Sequence, residues 1–252
     1  MKHKTSFGKF AEFWDAKIGE DGHKMESLRL EVPLMLSMLN GIKNKRIYEV
    51  ACGNGFLARR LAKAGAKEMV ASDISPELIK LARTKYGTLG INYLVREGTD
   101  FSGIHANYFD AVLINQGIFY IEDLDTFFKG VYKVLKPGGI LLYNTMHPLT
   151  PAFRKAIGED IIMGTEIDIL KSAKKYHQNY VLQVSKKWRV DDDVRLVTYS
   201  QYKRPLSSYI NTAAKHQLFT AQIIEPPSRT KLGRKVKTST IPSTCIIKAV
   251  KL

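Results

Sequence analysis

The sequence has 252 residues, of which 44% are hydrophobic and 25% charged, proportions typical of a globular protein with one elaborated domain. No apolar stretch approaches the roughly 18 residues of a membrane-spanning helix, and the N-terminus lacks the apolar core of a secretion signal. We therefore expect a cytoplasmic protein without a membrane partner. Its two cysteines, Cys52 and Cys245, are too few for a disulfide framework or metal cluster, so we expect no metal site.

The net charge of +15 is distributed unevenly. Residues 1–150 carry +4 and residues 151–252 carry +11. A basic half can contact the phosphates of RNA or attract an anionic small substrate, although lysines scattered over a solvated surface give the same excess. Because no RNA-recognition motif accompanies the charge, a small-molecule partner is favoured and RNA stays an alternative.

Short apolar runs alternate with helical patterns between residues 45 and 146, which predicts a doubly wound α/β fold with a mostly parallel sheet. Ser75 and Pro76 are typical of a helix start, and Gly87 of a helix end. A further helix is predicted over Leu124–Leu135. The five predicted strands are Arg46–Ala51, Glu68–Ser72, Ile91–Val95, Phe109–Asn115 and Ile140–Met146.

The alternation stops after His147-Pro148, which indicates an insertion. We expect residues 149–179 to be helical in part and to precede a hairpin of Tyr180–Val190 and Val194–Arg204. Four elements then complete a seven-stranded sheet: a helix (Ser208–His216), a strand (Leu218–Glu225), a basic loop (Pro226–Lys237) and a last strand (Thr244–Lys251).

Chemically distinctive residues follow the first three strands, where an open α/β sheet binds its ligand. Gly53 and Gly55 allow the backbone to approach a ligand, and Glu49 lies inside the strand just before them. Asp73 ends the second strand and suits the hydroxyls of a ribose. Asp100 and Phe101, after the third strand, suit an amino group and an apolar ring.

The glycine turn alone does not identify the ligand. Residues 53–58 also satisfy the looser G-x-G-x-x-[GA] pattern of nicotinamide dehydrogenases. A dehydrogenase would place a pyrophosphate here, where the negative charge of Glu49 is unfavourable. Glu49 therefore favours a cationic ligand, and a dehydrogenase is the least favoured interpretation.

Together these residues resemble the class I S-adenosylmethionine-dependent methyltransferases, in particular the small-molecule branch similar to the ubiquinone and menaquinone biosynthesis enzymes. The resemblance covers about residues 45–146. It differs in two places, because Ala51-Cys52 stands where many members have Gly-Cys and Glu49 replaces the commoner aspartate. The matching segments are Glu49–Gly55, Asp73–Pro76, Gly98–Phe101, Phe109–Val112 and Leu135–Gly139.

The resemblance implies S-adenosylmethionine as cofactor and S-adenosylhomocysteine as product. It implies that Gly53 and Gly55 flank the methionine part, Asp73 the ribose, and Asp100 with Phe101 the adenine. Trp14 lies at helical spacing in the N-terminal segment, and its ring would suit a sulfonium cation. The full predicted cofactor set is Glu49, Ala51, Gly53, Asn54, Gly55, Asp73, Ile74, Thr99, Asp100, Phe101, Asn115 and Trp14.

These interpretations divide the chain into four segments. Residues 1–41 form a helical cap, in which Pro33 restarts a helix, and residues 42–147 form the cofactor-binding, Rossmann-like core. Residues 148–204 form an inserted lid for the acceptor. Residues 205–252 supply the last helix and strands six and seven.

Methyl transfer is an in-line displacement that depends mainly on alignment of the acceptor. A hydroxyl or protonated amine acceptor also needs a base, and His147, directly after the fifth strand, is our candidate. The lid offers Tyr199, Tyr202 and Arg204 as acceptor-binding residues. Tyr199 and Lys203 share one face of a strand, whereas Tyr202 and Arg204 share the other, and only one face can meet a ligand.

Three functions are compatible with these features. The favoured one is O-, N- or C-methylation of a small molecule. The second is RNA methylation that uses the basic half, which salt-sensitive RNA binding would reveal. The third is a non-catalytic protein that binds S-adenosylmethionine without transferring its methyl group. The oligomeric state does not follow from the sequence.

Overall fold

The computed structural model describes residues 10–87, 89–147, 179–190, 193–232, 235–242 and 244–252. Its centre is a seven-stranded sheet made of β1 (Arg46–Val50), β2 (Glu68–Asp73), β3 (Ile91–Val95), β4 (Phe109–Ile114), β5 (Leu135–Met146), β8 (Leu218–Ile224) and β11 (Thr244–Lys251). The strand order is β3-β2-β1-β4-β5-β11-β8, in which β11 runs antiparallel to both β5 and β8 and the other neighbouring strands pair parallel. This confirms the predicted doubly wound α/β fold.

Within the described residues, six helices cover the two faces of the sheet. Alternate residues of each central strand bury opposite sides, so Ile47 joins one apolar cluster and Tyr48 the other. The first four helices pack against the Ile47 side, and the last two pack against the Tyr48 side. The helices are α1 (Ala11–Ile18), α2 (Glu26–Ser37), α3 (Phe56–Lys63), α4 (Pro76–Tyr86), α5 (Leu124–Val134) and α6 (Leu206–Lys215).

Side-chain caps fix the start of two helices, and the sequence predicts the first of them, at Ser75. The Ser75 hydroxyl accepts a hydrogen bond from the Leu78 N–H at 3.1 Å, and Pro76 occupies the first helical position. Asp123 caps α5 by accepting from the Thr126 N–H at 3.0 Å. Ser75 lies two residues beyond the carboxyl end of β2, so its cap also fixes a loop that borders the ligand edge.

The lid contains the predicted hairpin. Strands β6 (Tyr180–Val190) and β7 (Asp193–Lys203) pair antiparallel along their whole length. The predicted helical segment 149–179 and the turn residues Asp191 and Asp192 lie outside the described residues, apart from residue 179 itself. No helix within the described ranges has the length and apolar character needed to cross a bilayer.

Two local predictions are wrong. Pro33 does not restart a helix but lies inside α2, where burial of Leu28, Val32 and Met35 offsets the roughly 3 kcal/mol cost of an internal proline. The expected basic loop is instead an antiparallel pair, β9 (Pro227–Leu232) and β10 (Lys235–Pro242). Pairing of the two strands satisfies main-chain N–H and C=O groups that a loop would leave to solvent.

A substitution at Gly130 in α5 tests the packing of this helix on the Tyr48 side of the sheet. Helix propensity alone predicts that Gly130→Ala stabilises the protein by about 1 kcal/mol. However, a Cβ at this position would lie 2.1 Å from the buried Phe101 ring. We expect destabilisation by about 1–3 kcal/mol in chemical denaturation.

The exposed neighbour Lys129 supplies the control, because Lys129→Ala on the same helix meets no core side chain. We expect its unfolding free energy to stay within about 0.5 kcal/mol of the parent. A Gly130→Ala variant as stable as Lys129→Ala would contradict the observed packing.

Candidate functional site

The turn between β1 and α3 has a backbone that only a few residue types adopt easily. Gly53 and Gly55 have φ of 57° and 73°, and Ala51 has φ of 55°. At Gly55 a Cβ would lie 2.6 Å from the Tyr93 hydroxyl, so glycine is required there. A Cβ at Gly53 would lie 3.7 Å from Trp14 Nε1, so α1 lies directly beside the turn.

Glu49 is a buried carboxyl group with unused hydrogen-bonding capacity. It is 1% exposed, and its Oε2 atom has no hydrogen-bond partner among the described residues. Burial raises the pKa of Glu49 to about 8, and the nearby Asp73 adds to this, while the Ala58 N–H and Arg59 act in the opposite direction. A cationic group beside Oε2 would therefore be strongly stabilising.

Asp73 connects the ends of β1 and β2. Its Oδ2 accepts a hydrogen bond from the Gly53 N–H and its Oδ1 accepts one from the Ser75 N–H, both at 2.9 Å. Burial raises the pKa of Asp73 despite these bonds. Two carboxyl groups thus lie in low-dielectric surroundings beside the glycine turn, an arrangement that fits a positively charged ligand with hydroxyl groups.

The residues after β3 divide into an exposed acid and a buried ring. Asp100 is exposed, accepts a hydrogen bond from the Ser102 N–H at 2.8 Å, and has a lowered pKa because of bonding to Ser102. The Phe101 ring, in contrast, packs in the core near Tyr48 and Phe127 and is 5% exposed. The predicted apolar wall is therefore not formed by this ring, and any contact of Phe101 with a ligand would involve its backbone.

Asn54 attaches α1 to the glycine turn. Its Nδ2 donates to Asp15 at 2.7 Å, and its Oδ1 accepts from the Phe56 N–H at 3.2 Å. Asp15 also pairs with Lys85 Nζ at 2.6 Å and accepts from Tyr86. Because its side chain is engaged in this way, Asn54 can meet a ligand only through its backbone. Sequence reasoning missed Asp15, although a buried acid in an apolar helix is itself unusual.

Glu31 is a second buried acid that sequence reasoning missed. It is 2% exposed and accepts hydrogen bonds from Gln116 Nε2 at 2.6 Å, Asn144 Nδ2 at 2.8 Å and Thr244 Oγ1 at 3.0 Å. Burial raises the pKa of Glu31. Its place on the apolar stripe of α2, between Leu28 and Met35, was the available signal.

The Glu31 network joins α2 to the carboxyl ends of β4 and β5. Asn144 also donates to Asn115 Oδ1 at 3.0 Å and accepts from the Gln116 N–H at 2.6 Å. Gln116 has φ of 55°, an uncommon conformation for its residue type. The predicted residue Asn115 thus lies in a fixed polar cluster at the same sheet edge as Glu49 and Asp73.

His147 follows β5, as predicted, and is bound to an acid. Its Nε2 lies 3.0 Å from Glu225 Oε1, and Cys245 Sγ lies 3.8 Å from the same oxygen. The three ligand atoms lie within 4.8 Å of one another, a spacing that could accommodate a metal ion. Burial raises the pKa of the Cys245 thiol to about 12, so the thiol is neutral in the protein as described. In the structure these three groups are joined by hydrogen bonds through Glu225 Oε1.

The lid residues lie on two faces of β7. The Tyr199 ring is 5.9 Å from Tyr120, which belongs to the short 3₁₀ helix Ile118–Tyr120 after β4. Arg204 instead donates to the Glu122 carbonyl at 2.6 Å and lies over the Tyr202 ring. Tyr202, Lys203 and Arg204 line a pocket of about 480 Å³, to which none of Glu49, Asp73 and Asp100 contributes.

Comparison with known sequences agrees with this geometry. Residues 48–143 match a family model described as a methyltransferase domain. Ubiquinone biosynthesis O-methyltransferase of Xanthomonas campestris pv. campestris is 30% identical over 166 residues, which are 62% of this chain and 66% of that protein. The Xanthomonas axonopodis pv. citri protein of the same name is 31% identical over 166 residues. The match thus spans just under two thirds of these relatives.

Solved structures show the same fold at low sequence identity. An S-adenosylmethionine-dependent methyltransferase from Mesorhizobium loti has a TM-score of 0.60 and 19% identity, covering 88% of this chain and 98% of that chain. The CcbJ methyltransferase from Streptomyces caelestis has a TM-score of 0.65 and 14% identity, covering 98% and 99%. The chain therefore has the fold of these S-adenosylmethionine-dependent methyltransferases, and its residues 48–143 match the methyltransferase domain family.

Proposed function

We propose that the protein transfers a methyl group from S-adenosylmethionine to an oxygen atom of a small-molecule acceptor. The observation that carries the proposal is the buried, half-satisfied carboxyl group of Glu49 beside Asp73 at the glycine turn. The cofactor, when bound, supplies an activated methyl group on a positively charged sulfur. The names of the Xanthomonas relatives support oxygen, rather than nitrogen or carbon, as the methylated atom.

The roles of the cofactor residues follow from their places at the sheet edge. In this proposal the three carboxyl groups accept hydrogen bonds from the cofactor. Glu49 accepts from the ammonium group of the methionine part, Asp73 from the ribose hydroxyls, and Asp100 from the adenine amino group. Ala51, Gly53, Asn54, Gly55 and the Phe101 backbone approach the ligand through main-chain atoms. We propose that side chains of four further residues line the cofactor site: Trp14, Ile74, Thr99 and Asn115. Trp14 lies beside Gly53, and Ile74 is 46% exposed next to Asp73.

The other assignments of the sequence analysis stay proposals. His147 is our candidate base, now with Glu225 to orient its ring. The four segments keep their roles as cap, core, lid and completing strands, because α1 contacts the glycine turn and β7 lies over the residues after β4. We also retain the cytoplasmic location.

The raised pKa of Glu49 makes cofactor affinity depend on pH. Below about pH 8 the free protein holds a proton on Glu49, which must leave before the carboxylate can bind an ammonium group. We expect the dissociation constant of S-adenosylhomocysteine to fall as the pH rises from 6.5 to 8.5, with release of a proton. Calorimetry in buffers of different ionisation enthalpy measures both quantities.

Glu49→Gln separates this effect from titration of the ligand itself. The variant should bind about 10–100-fold more weakly at pH 8.5, because a charge-assisted hydrogen bond is lost, and should lose the extra proton release. Glu12→Gln, at an exposed position of α1, is the matched control and should behave as the parent. An unchanged pH dependence in Glu49→Gln would contradict the assignment.

Transfer of a labelled methyl group tests the activity. The purified protein and deuterated S-adenosylmethionine are incubated separately with a small-molecule extract and with total RNA, and products are read by mass spectrometry. We expect the mass gain of one labelled methyl group in small molecules, and its loss in Asp73→Asn. Labelling confined to RNA, with salt-sensitive RNA binding, would favour the RNA alternative. Cofactor binding without any product would favour the non-catalytic one.

A further inference from the structure

Three side chains of metal-binding type lie together at the end of the sheet. They are His147, Glu225 and Cys245, and among the described residues they are the one group of histidine, cysteine and acidic side chains whose ligand atoms are close enough to share an ion. The sequence predicted no metal site because only its two cysteines were counted. His147 and Glu225 are 78 residues apart, so only the pairing of distant strands brings the group together.

Strand pairing fixes the main chain at all three positions. Cys245 of β11 pairs with Thr145 of β5, and His147 lies two residues beyond Thr145, so the side chains of Cys245 and His147 share one face of the sheet. The pairing of β8 with β11 continues to the residue before Glu225, which places Glu225 opposite Cys245. The three side chains therefore project from adjacent strand ends on the same face.

The distances between the ligand atoms approach those of a tetrahedral zinc site. Nε2 of His147 lies 3.0 Å from Oε1 of Glu225, and Sγ of Cys245 lies 3.8 Å from the same oxygen. The third distance, from Nε2 to Sγ, is within 4.8 Å. Zinc bonds of about 2.0–2.3 Å hold tetrahedral ligands roughly 3.3–3.8 Å apart. A small approach of the imidazole towards the sulfur therefore completes the arrangement.

The donor atoms favour zinc over the hard divalent cations. An imidazole nitrogen, a carboxylate oxygen and a thiolate sulfur are all common zinc ligands, whereas Mg²⁺ and Ca²⁺ take oxygen ligands. The neutral thiol of Cys245 would lose its proton to solvent when zinc binds it. Thiolate and carboxylate together then balance the two positive charges of the ion, so no net charge remains in a partly buried position.

Burial leaves one route to the group. Cys245 is fully buried in the apolar cluster on the Tyr48 side, which limits movement of its sulfur. The His147 side chain is 11% exposed, whereas that of Glu225 is 48% exposed. An ion can therefore enter from the Glu225 side, where solvent is also available to occupy a fourth coordination position.

We propose that His147, Glu225 and Cys245 bind a zinc ion through Nε2, Oε1 and Sγ, with the fourth coordination position open to solvent. Binding of this ion does not depend on the proposed function. With zinc bound, Nε2 of His147 is a ligand and cannot also accept a proton. The role of His147 as candidate base therefore belongs to the metal-free protein.

Titration with Co²⁺ tests the proposal, because Co²⁺ occupies zinc sites and its absorption spectrum reports the ligands. The full chain, without an affinity tag and freed of metal by a chelator, is titrated first with Co²⁺ and then with Zn²⁺. We expect one equivalent of Co²⁺ to produce a thiolate-to-cobalt charge-transfer band and the strong visible absorption of a four-coordinate ion. One equivalent of Zn²⁺ should then remove both signals.

Variants assign the ion to these side chains. Cys245→Ser should abolish the charge-transfer band, whereas Cys52→Ser, which removes the other thiol of the sequence, should keep it. Glu225→Gln should weaken zinc binding at least about 100-fold, because loss of an outer-shell partner alone already costs about 10–100-fold. His216→Gln is the matched control, since His216 Nε2 also lies 3.0 Å from a carboxylate, that of Asp125, but belongs to no three-ligand group in the described part of the chain. This variant should bind Co²⁺ as the parent does, and circular dichroism shows that each variant is folded.

Three outcomes would overturn the inference: no charge-transfer band in the parent, a band that survives Cys245→Ser, or a zinc affinity that Glu225→Gln leaves unchanged. Each would mean that the three groups do not form the proposed zinc site.

Discussion

The structure of the site depends on two carboxyl groups that are held out of water beside a glycine turn. Asp73 fixes the turn by accepting the Gly53 N–H, and Glu49 leaves one buried oxygen without a partner in the described residues. Placing both groups in a low-dielectric region costs free energy, and a ligand with a positive charge recovers it. The same constraint disfavours a dinucleotide with a negative pyrophosphate at this turn.

Two further buried acids hold the N-terminal helices at the same edge of the sheet. Asp15 of α1 is bonded by Asn54, Lys85 and Tyr86, and Glu31 of α2 by residues from β4, β5 and β11 or the loops after them. The cap is therefore connected by polar contacts of fixed geometry, in addition to apolar packing. Such contacts position Trp14 beside Gly53, which is the place that its proposed cofactor role requires. Buried, satisfied networks of this kind favour one arrangement of the elements over others.

Sequence patterns predicted the parts of the molecule that depend on local signals. The strand and helix alternation, the cap at Ser75 and the hairpin of the lid were all recognisable, because each is specified by neighbouring residues. The direction of a side chain at the end of a strand is not local. Phe101 follows Asp100 in the motif, yet its ring turns into the core, where the absence of a side chain at Gly130 makes room for it. The partners of Glu31 lie 85 to 213 residues away, and no sequence spacing predicts them.

The central claim is that Glu49 changes its protonation state when a cationic nucleoside binds. Isotope-edited infrared spectroscopy of the Glu49 carboxyl group at pH 7, with Glu49→Gln to assign the band, measures this directly. The account predicts a protonated carboxyl group in the free protein and a carboxylate in the complex with S-adenosylhomocysteine. An ionised group in the free protein, or a protonated group that persists in the complex, would contradict it.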